Sequence, residues 1–194
     1  WDKSLKVQKK ENVKRPSCII QPFIDGFDVR ISVIEGVFSA ATLRLPAHII
    51  GNNKNSIQEL IQHKNSVRER IPYFRNKLIP IDHKLINKLY DENLSLKSIL
   101  KMDEVYLLSD ISNLTLGGES IDITNIVSKE LISLAVDSIA SIPGMYTGGI
   151  DIMTENFEEG SGYIIEINTN ANHTMHHIPL KGRPSYPFDD LIQN

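Results

Sequence analysis

The sequence has 194 residues, 41% of them hydrophobic and 23% charged, with a formal net charge of -3. That is length enough for one domain with a real core, alone or with an appendage, and it contains no apolar run long enough for a membrane span and no secretory leader. One cysteine rules out an internal disulfide framework and fits a reducing, cytoplasmic setting; Cys18, within SCII, reads as a core residue and not as a nucleophile.

The opening fifteen residues, WDKSLKVQKKENVKR, are basic and nearly free of apolar periodicity. Residues 1–16 therefore read as a flexible lead-in or a cut end, and Trp1 in place of an initiator Met points to trimming. The stretch lacks interleaved aromatics and the chain is acidic overall, which argues against nucleic-acid binding. From Ser17 the pattern turns strand-like. SCIIQPFI, FDVRISVIEG and VFSAATLRLPA are separated by DG and EG turn pairs, which predicts a three-stranded antiparallel meander. Arg30 and Arg44 each stand alone on an otherwise apolar or small-residue strand. A surface arginine is the ordinary reading, but two on adjoining strands could aim guanidinium forks at one anion, and phosphate suits that geometry.

Ile57, Leu60 and Ile61 have the spacing of an amphipathic helix, capped by Asn55 or Ser56. A second helix is predicted from Asp82 to Tyr90, with Leu85, Ile86 and Leu89 inward, then a short turn at SLKSILK and a strand at EVYLLS. SNLTLGGESIDITNIVS is rich in Gly, Ser, Thr and Asn, a composition that favours loop. The helix KELISLAVDSIASI follows and ends at Pro143 and Gly144. YTGGIDIMTEN and GYIIEINTNAN then read as a hairpin joined by the polar loop NFEEGSG. Strand alternation puts Glu166 and Asn168 on one face, and antiparallel pairing could bring Asp151 beside them. Two carboxylates and an amide oxygen converging on one face suit a hard cation such as Mg²⁺, although acids on a strand face are more often solvated. His173, His176 and His177 have a zinc-like helical spacing, but Pro179 follows closely and no cysteine or acid completes a set, so packing or substrate contact is favoured.

The order of elements predicts an α+β fold with a largely antiparallel sheet flanked by helices, with no GxGxxG or P-loop site. QPFIDGFDVRISVI, LRLPAHIIG, NSIQELIQHKN, SNLTLGGESIDITNIV, GGIDIM and IIEINTNANHTMHHIPLKGRP, in that order, resemble the C-terminal lobe of the ATP-grasp ligases, in the branch of the bifunctional glutathione synthetases and cyanophycin synthetase. The resemblance runs over residues 17–194. It implies an ATP- and Mg²⁺-dependent carboxylate-amine ligase working through an acyl phosphate, with Mn²⁺ able to stand in. By position, Arg30 and Arg44 would act on the transferring phosphoryl group, and Gln21 would lie on the strand that meets the adenine. Asn113, Gly117 and Gly118 would line the acceptor site, and Asp151, Glu166 and Asn168 would hold the metal. Family members are often dimers or tetramers, so a homo-oligomer is among the expectations.

The sequence also departs from the pattern. The preceding lobe, which should bring phosphate-binding lysines and a glycine-rich lid, has no counterpart here, so the chain alone is expected to bind nucleotide weakly and catalyse little. Leu108 stands where the family carries arginine, TLGG where Ser-Thr-Gly-Gly is usual, and Ala171 at a usual proline. These changes raise the alternative of an inactive binding or scaffolding module.

Overall fold

The computed structural model describes residues 22–187, together with 189 and 192; Gln21, Cys18 and the basic lead-in lie outside them. Five strands form an antiparallel sheet in the order β5-β2-β1-β6-β7: β1 (Phe27–Ile34), β2 (Val37–Leu45), β5 (Glu119–Asp122), β6 (Gly148–Thr154) and β7 (Tyr163–Asn168). A separate ribbon pairs β3 (His48–Ile50) with β4 (Val105–Leu107). The helices are α1 (Ile57–Glu69), α2 (His83–Asp91), α3 (Lys129–Ala140) and the single turn α4 (Thr174–His177).

Alternation along the strands separates two faces. Val29, Ile31 and Val33 of β1, Ala41 and Leu43 of β2, and Ile150 and Ile152 of β6 share one side, where Leu131, Ala135 and Ile139 of α3 cover them. Ser128 caps α3 by accepting from the Leu131 amide. A second apolar cluster joins α1, α2 and the ribbon through Ile49, Ile57, Ile61, Leu85, Leu89 and Leu108. Ser56 and Glu59 form a reciprocal capping box at the start of α1, and Asp82 caps α2.

The two cores meet at a buried charge cluster. Glu119, only 2% exposed, opens β5, and its Oε1 accepts from Lys64 Nζ of α1 at 2.5 Å. Lys181 Nζ lies 3.4 Å from Oε2, and His48 Nε2 lies 3.9 Å from Oε1. Burial alone would raise the Glu119 carboxyl, but the Lys64 bond and charge, with His48 and Lys181, bring it below the ordinary value.

The antiparallel pairing of β1 and β2 is as expected, whereas residues 22–24 of the expected first strand are not in strand. The segment read as loop contains β5, which pairs with β2 from Thr42↔Asp122 to Leu45↔Glu119. Its Ser and Asp content concealed an edge whose outer side bonds the chain end, with Asp122 N donating to Lys181 O. Among the described residues no helix is long and apolar enough to cross a membrane.

Candidate functional site

The side of the sheet opposite α3 carries three rows of polar residues. Register sets them side by side: Thr42, Arg30, Asp151 and Glu166 run across β2, β1, β6 and β7; Arg44 faces Asp28; and Ser32, Gly149 and Asn168 form the third row. A β-bulge after Asp151 falls beside this site, where bulges commonly re-aim side chains.

Asp151, 6% exposed, accepts from Arg30 Nε and, at 2.9 Å, from Arg30 Nη2. Arg44 Nη2 approaches Asp151 Oδ2 at 3.1 Å and donates to Asp28 Oδ1 at 2.6 Å. Two guanidinium planes are thus fixed by two carboxylates, the forked arrangement arginine forms best. Burial, outweighing Arg44, raises the Asp28 carboxyl above its usual range. The Arg44 guanidinium is more basic than usual, because Asp28 and Asp151 outweigh its own burial. Gly149 is required here: a Cβ would come within 2.6 Å of Ala171 Cβ and 3.1 Å of Arg30 Cδ and Nη1. The missing side chain leaves the groove in which Arg30 lies.

Beneath the arginines, α4 presses two imidazoles onto the same face. His173 Nδ1 pairs with Ser32 Oγ at 2.5 Å and His176 Nδ1 with Thr42 Oγ1 at 2.8 Å. Burial, with His173, Arg30 and His177 nearby, pushes the His176 imidazole down to about 3. His173 and His176 therefore brace this face of the sheet through its hydroxyls. Among the described residues no group of three or more His, Cys, Asp or Glu side chains is placed to hold a metal ion.

The anticipated oxygen set is different, since it includes an amide. Asp151 and Glu166 are strand partners, and Asn168 follows on the same face. Glu166 is solvent-facing, while Asp151 is already engaged by arginine. The Asn168 amide nitrogen is buried with no hydrogen-bond partner among the described residues. Half a turn of that amide would put Oδ1 at the unpaired position, a hard oxygen donor two residues from Glu166 on the same strand face. Two carboxylates and an amide oxygen are the donor types a hard divalent cation takes.

Of the other expected residues, Asn113 reaches a cleft of about 390 Å³ that Arg44 also lines. Its Oδ1 accepts from Thr115 N and Thr115 Oγ1, capping a 3₁₀ turn over Leu114–Leu116. Gly117 and Gly118 are buried instead. Gly117 takes a φ of +90° against Ile79, and Gly118 packs against the carbonyls of Asn113 and Leu45, so the pair serves close packing of the loop. Arg68, which the sequence reading missed, holds that loop from α1. Its guanidinium donates to Lys77 O, Leu114 O and Gly118 O and lies over the Phe74 ring at 5.0 Å. The signal was present: Arg68 lies seven residues beyond Ile61, on the buried stripe of α1. Asp28 was legible too, two residues before Arg30 on the same strand face.

An antiparallel sheet of five strands flanked by helices is the architecture of an ATP-grasp domain. The chain belongs to that family: the ATP-grasp domain profile matches residues 2–172. It is 34% identical over 188 residues to cyanophycin synthetase from Geminocystis herdmanii, covering 92% of this chain and 21% of that protein. It is 31% identical to the glutathione biosynthesis bifunctional protein GshAB of Clostridium perfringens, covering 94% and 24%. In structure it superposes on a bifunctional glutathione synthetase from Pasteurella multocida with a TM-score of 0.77 and 27% identity, over 88% of this chain and 24% of that one. The chain thus spans about a fifth to a quarter of the length of these relatives.

Proposed function

We propose that this chain is the metal- and phosphate-binding lobe of an ATP-dependent carboxylate-amine ligase that forms an amide through an acyl phosphate. The observation that carries the reading is the row Arg30, Asp151, Glu166 with Arg44 alongside, two fixed cations beside an oxygen ligand set. The names of the relatives, synthetases of cyanophycin and glutathione, support an amino-acid or peptide substrate.

In this reading a substrate carboxylate oxygen attacks the γ-phosphorus of ATP and ADP leaves. An amine nitrogen then attacks the acyl carbon, phosphate departs with the bonding pair, and the nitrogen loses a proton. Arg30 and Arg44 stabilise charge on the transferring oxygens, and because Asp28 and Asp151 already hold their planes, little reorganisation is needed when that charge develops. Asp151, Glu166 and Asn168 would hold Mg²⁺, which supplies charge neutralisation of the nucleotide phosphates. Ser32 and Thr42, bonded to neutral imidazoles, keep the floor beneath Arg30 polar without adding charge. Adenine contact by Gln21 belongs to the same reading, as does a further lobe, elsewhere in a longer chain, that closes over the nucleotide.

A second reading, a module that binds nucleotide without turning it over, is favoured by Leu108. It is 7% exposed and packed into the α1–α2 cluster, so no cation stands there. Phosphate and ADP release by the longest natural form of the protein, with Mg²⁺ and pooled amino acids, separates the two. Release that rises at least tenfold with the pool and vanishes in Arg44→Ala supports the ligase. Tight Mg²⁺-dependent ADP binding with no turnover in any pool supports the second reading.

A further inference from the structure

We propose that the cleft between Arg44 and the Asn113 loop receives a free carboxylate of an amino-acid or short-peptide substrate, and that Lys77 is the residue selecting for that charge. The inference rests on the ligase reading and deepens it by naming the group recognised.

The cleft, about 390 Å³, is walled by Asp28, Arg44, Tyr73, Lys77, Asn113 and Asn172, a size and polarity suited to a small ligand. Its charges are not equivalent. Arg44 is committed to Asp28 at 2.6 Å and to Asp151 at 3.1 Å. Lys77 Nζ donates to the backbone carbonyl of Tyr73 at 3.0 Å and has no carboxylate partner among the described residues. The ammonium also lies over the Tyr73 ring, 2.9 Å from its centroid, so of its three donors one serves the carbonyl, one faces the ring and one remains for a ligand. Of the charged side chains that line the cleft, Arg44 and Lys77 stand against Asp28, leaving one positive charge unmatched there.

The wall that carries Lys77 is also held in place before any ligand arrives. Residues 70–80 connect α1 to α2 without regular structure, yet Phe74 is fully buried under the Arg68 guanidinium. Tyr73 stacks edge-on against Phe74 at 5.0 Å, and Lys77 N donates to Phe74 O at 2.8 Å. Arg68 Nε in turn takes the Lys77 carbonyl at 2.8 Å, while its Nη2 takes Gly118 O at 3.1 Å. One buried side chain therefore sets the spacing between the Lys77 wall and the Asn113 loop opposite, so the ammonium is presented without a search over backbone conformations. Burial, with Arg68 adding like charge, lowers the Lys77 ammonium from its usual value, as expected for a cation with no carboxylate partner.

The test is saturation-transfer NMR on the longest natural form of the protein with Mg²⁺ and ADP present. The probes are one equimolar pool of the twenty standard amino acids and one of the same amino acids as carboxamides. The free acids should include binders whose carboxamides give at least fivefold less transfer. Lys77→Gln, which keeps a donor for Tyr73 O but removes the charge, should abolish that preference, and Lys77→Arg should retain most of it. Equal transfer from acids and amides, a preference that survives Lys77→Gln, or no transfer from either pool would overturn the proposal. Calorimetric titration of ADP on the same samples keeps the two readings apart. Intact Mg²⁺-dependent ADP binding with no acid preference removes the role of Lys77 alone, whereas loss of ADP binding in the unsubstituted protein removes the ligase reading beneath it.

Discussion

Replacing Asp151 by Asn probes the junction on which the site is built. The Asp151 side chain is 9% exposed and takes two donors from Arg30 and one from Arg44. Asn keeps one acceptor oxygen but turns an NH₂ toward a guanidinium and deletes the negative charge between two buried cations. Removing one partner of a buried pair costs about 3–5 kcal/mol. Arg44 retains Asp28, so we expect the lower end, about 3 kcal/mol. Asp28→Asn is the internal control. Its side chain is 20% exposed, it pairs with Arg44, and Arg44 would still hold Asp151. Burial already disfavours the charge of Asp28, so the expected loss is about 1 kcal/mol. Urea denaturation at pH 7 without nucleotide measures both. With a slope of about 1–3 kcal/mol per molar, the Asp151→Asn midpoint should fall by roughly 1–3 M. If Asp151→Asn matches the unsubstituted chain within 1 kcal/mol, or if Asp28→Asn costs as much, the forked pair is not what organises this face.

Three further outcomes follow from the same geometry. His176 binds its proton at about 3 when folded and near 6.5 when unfolded, so only the unfolded chain gains it as the pH drops below 6.5. Its contribution is therefore complete above pH 6.5 and lost toward pH 3; between pH 7 and 5 it should take away about 2 kcal/mol, and His176→Gln should remove that part of the slope in urea midpoints. Arg68→Met strands three backbone carbonyls and should cost roughly 2–4 kcal/mol, with faster hydrogen exchange at Gly118 and Glu119. Gly149→Ala drives a methyl into Ala171 and Arg30 and should cost about 1–3 kcal/mol in a thermal or urea melt.

Much of the fold was readable because its signals are local. The period-two alternation through β1, β2 and β6 marked both the α3-facing core and the polar face, and Ser56 and Asp82 marked the starts of α1 and α2. β5 was not readable, because an edge strand of four residues with Glu, Ser and Asp carries turn-like composition and forms only through β2 and the segment around Lys181. In the site, residues on one strand were grouped correctly, since alternation is geometry. The pairings were harder. That Asp151 would be gripped by both arginines depends on register between β1, β2 and β6, and that Arg68 would hold the Gly117–Gly118 loop depends on contacts fifty residues apart. The resemblance to the ATP-grasp ligases supplied the grouping of Arg30, Arg44, Asp151, Glu166 and Asn168, which spacing alone left open.

The most direct test of the central claim is calorimetric titration of ADP into the longest natural form of the protein, with and without Mg²⁺, repeated on Glu166→Ala. Glu166 is solvent-facing and lies outside the arginine pairs, so its loss should leave the fold intact. The account predicts that ADP binds in a Mg²⁺-dependent way and that either omitting the ion or substituting Glu166 weakens binding at least tenfold, about 1.4 kcal/mol. An ADP affinity indifferent to both Mg²⁺ and Glu166 would contradict it.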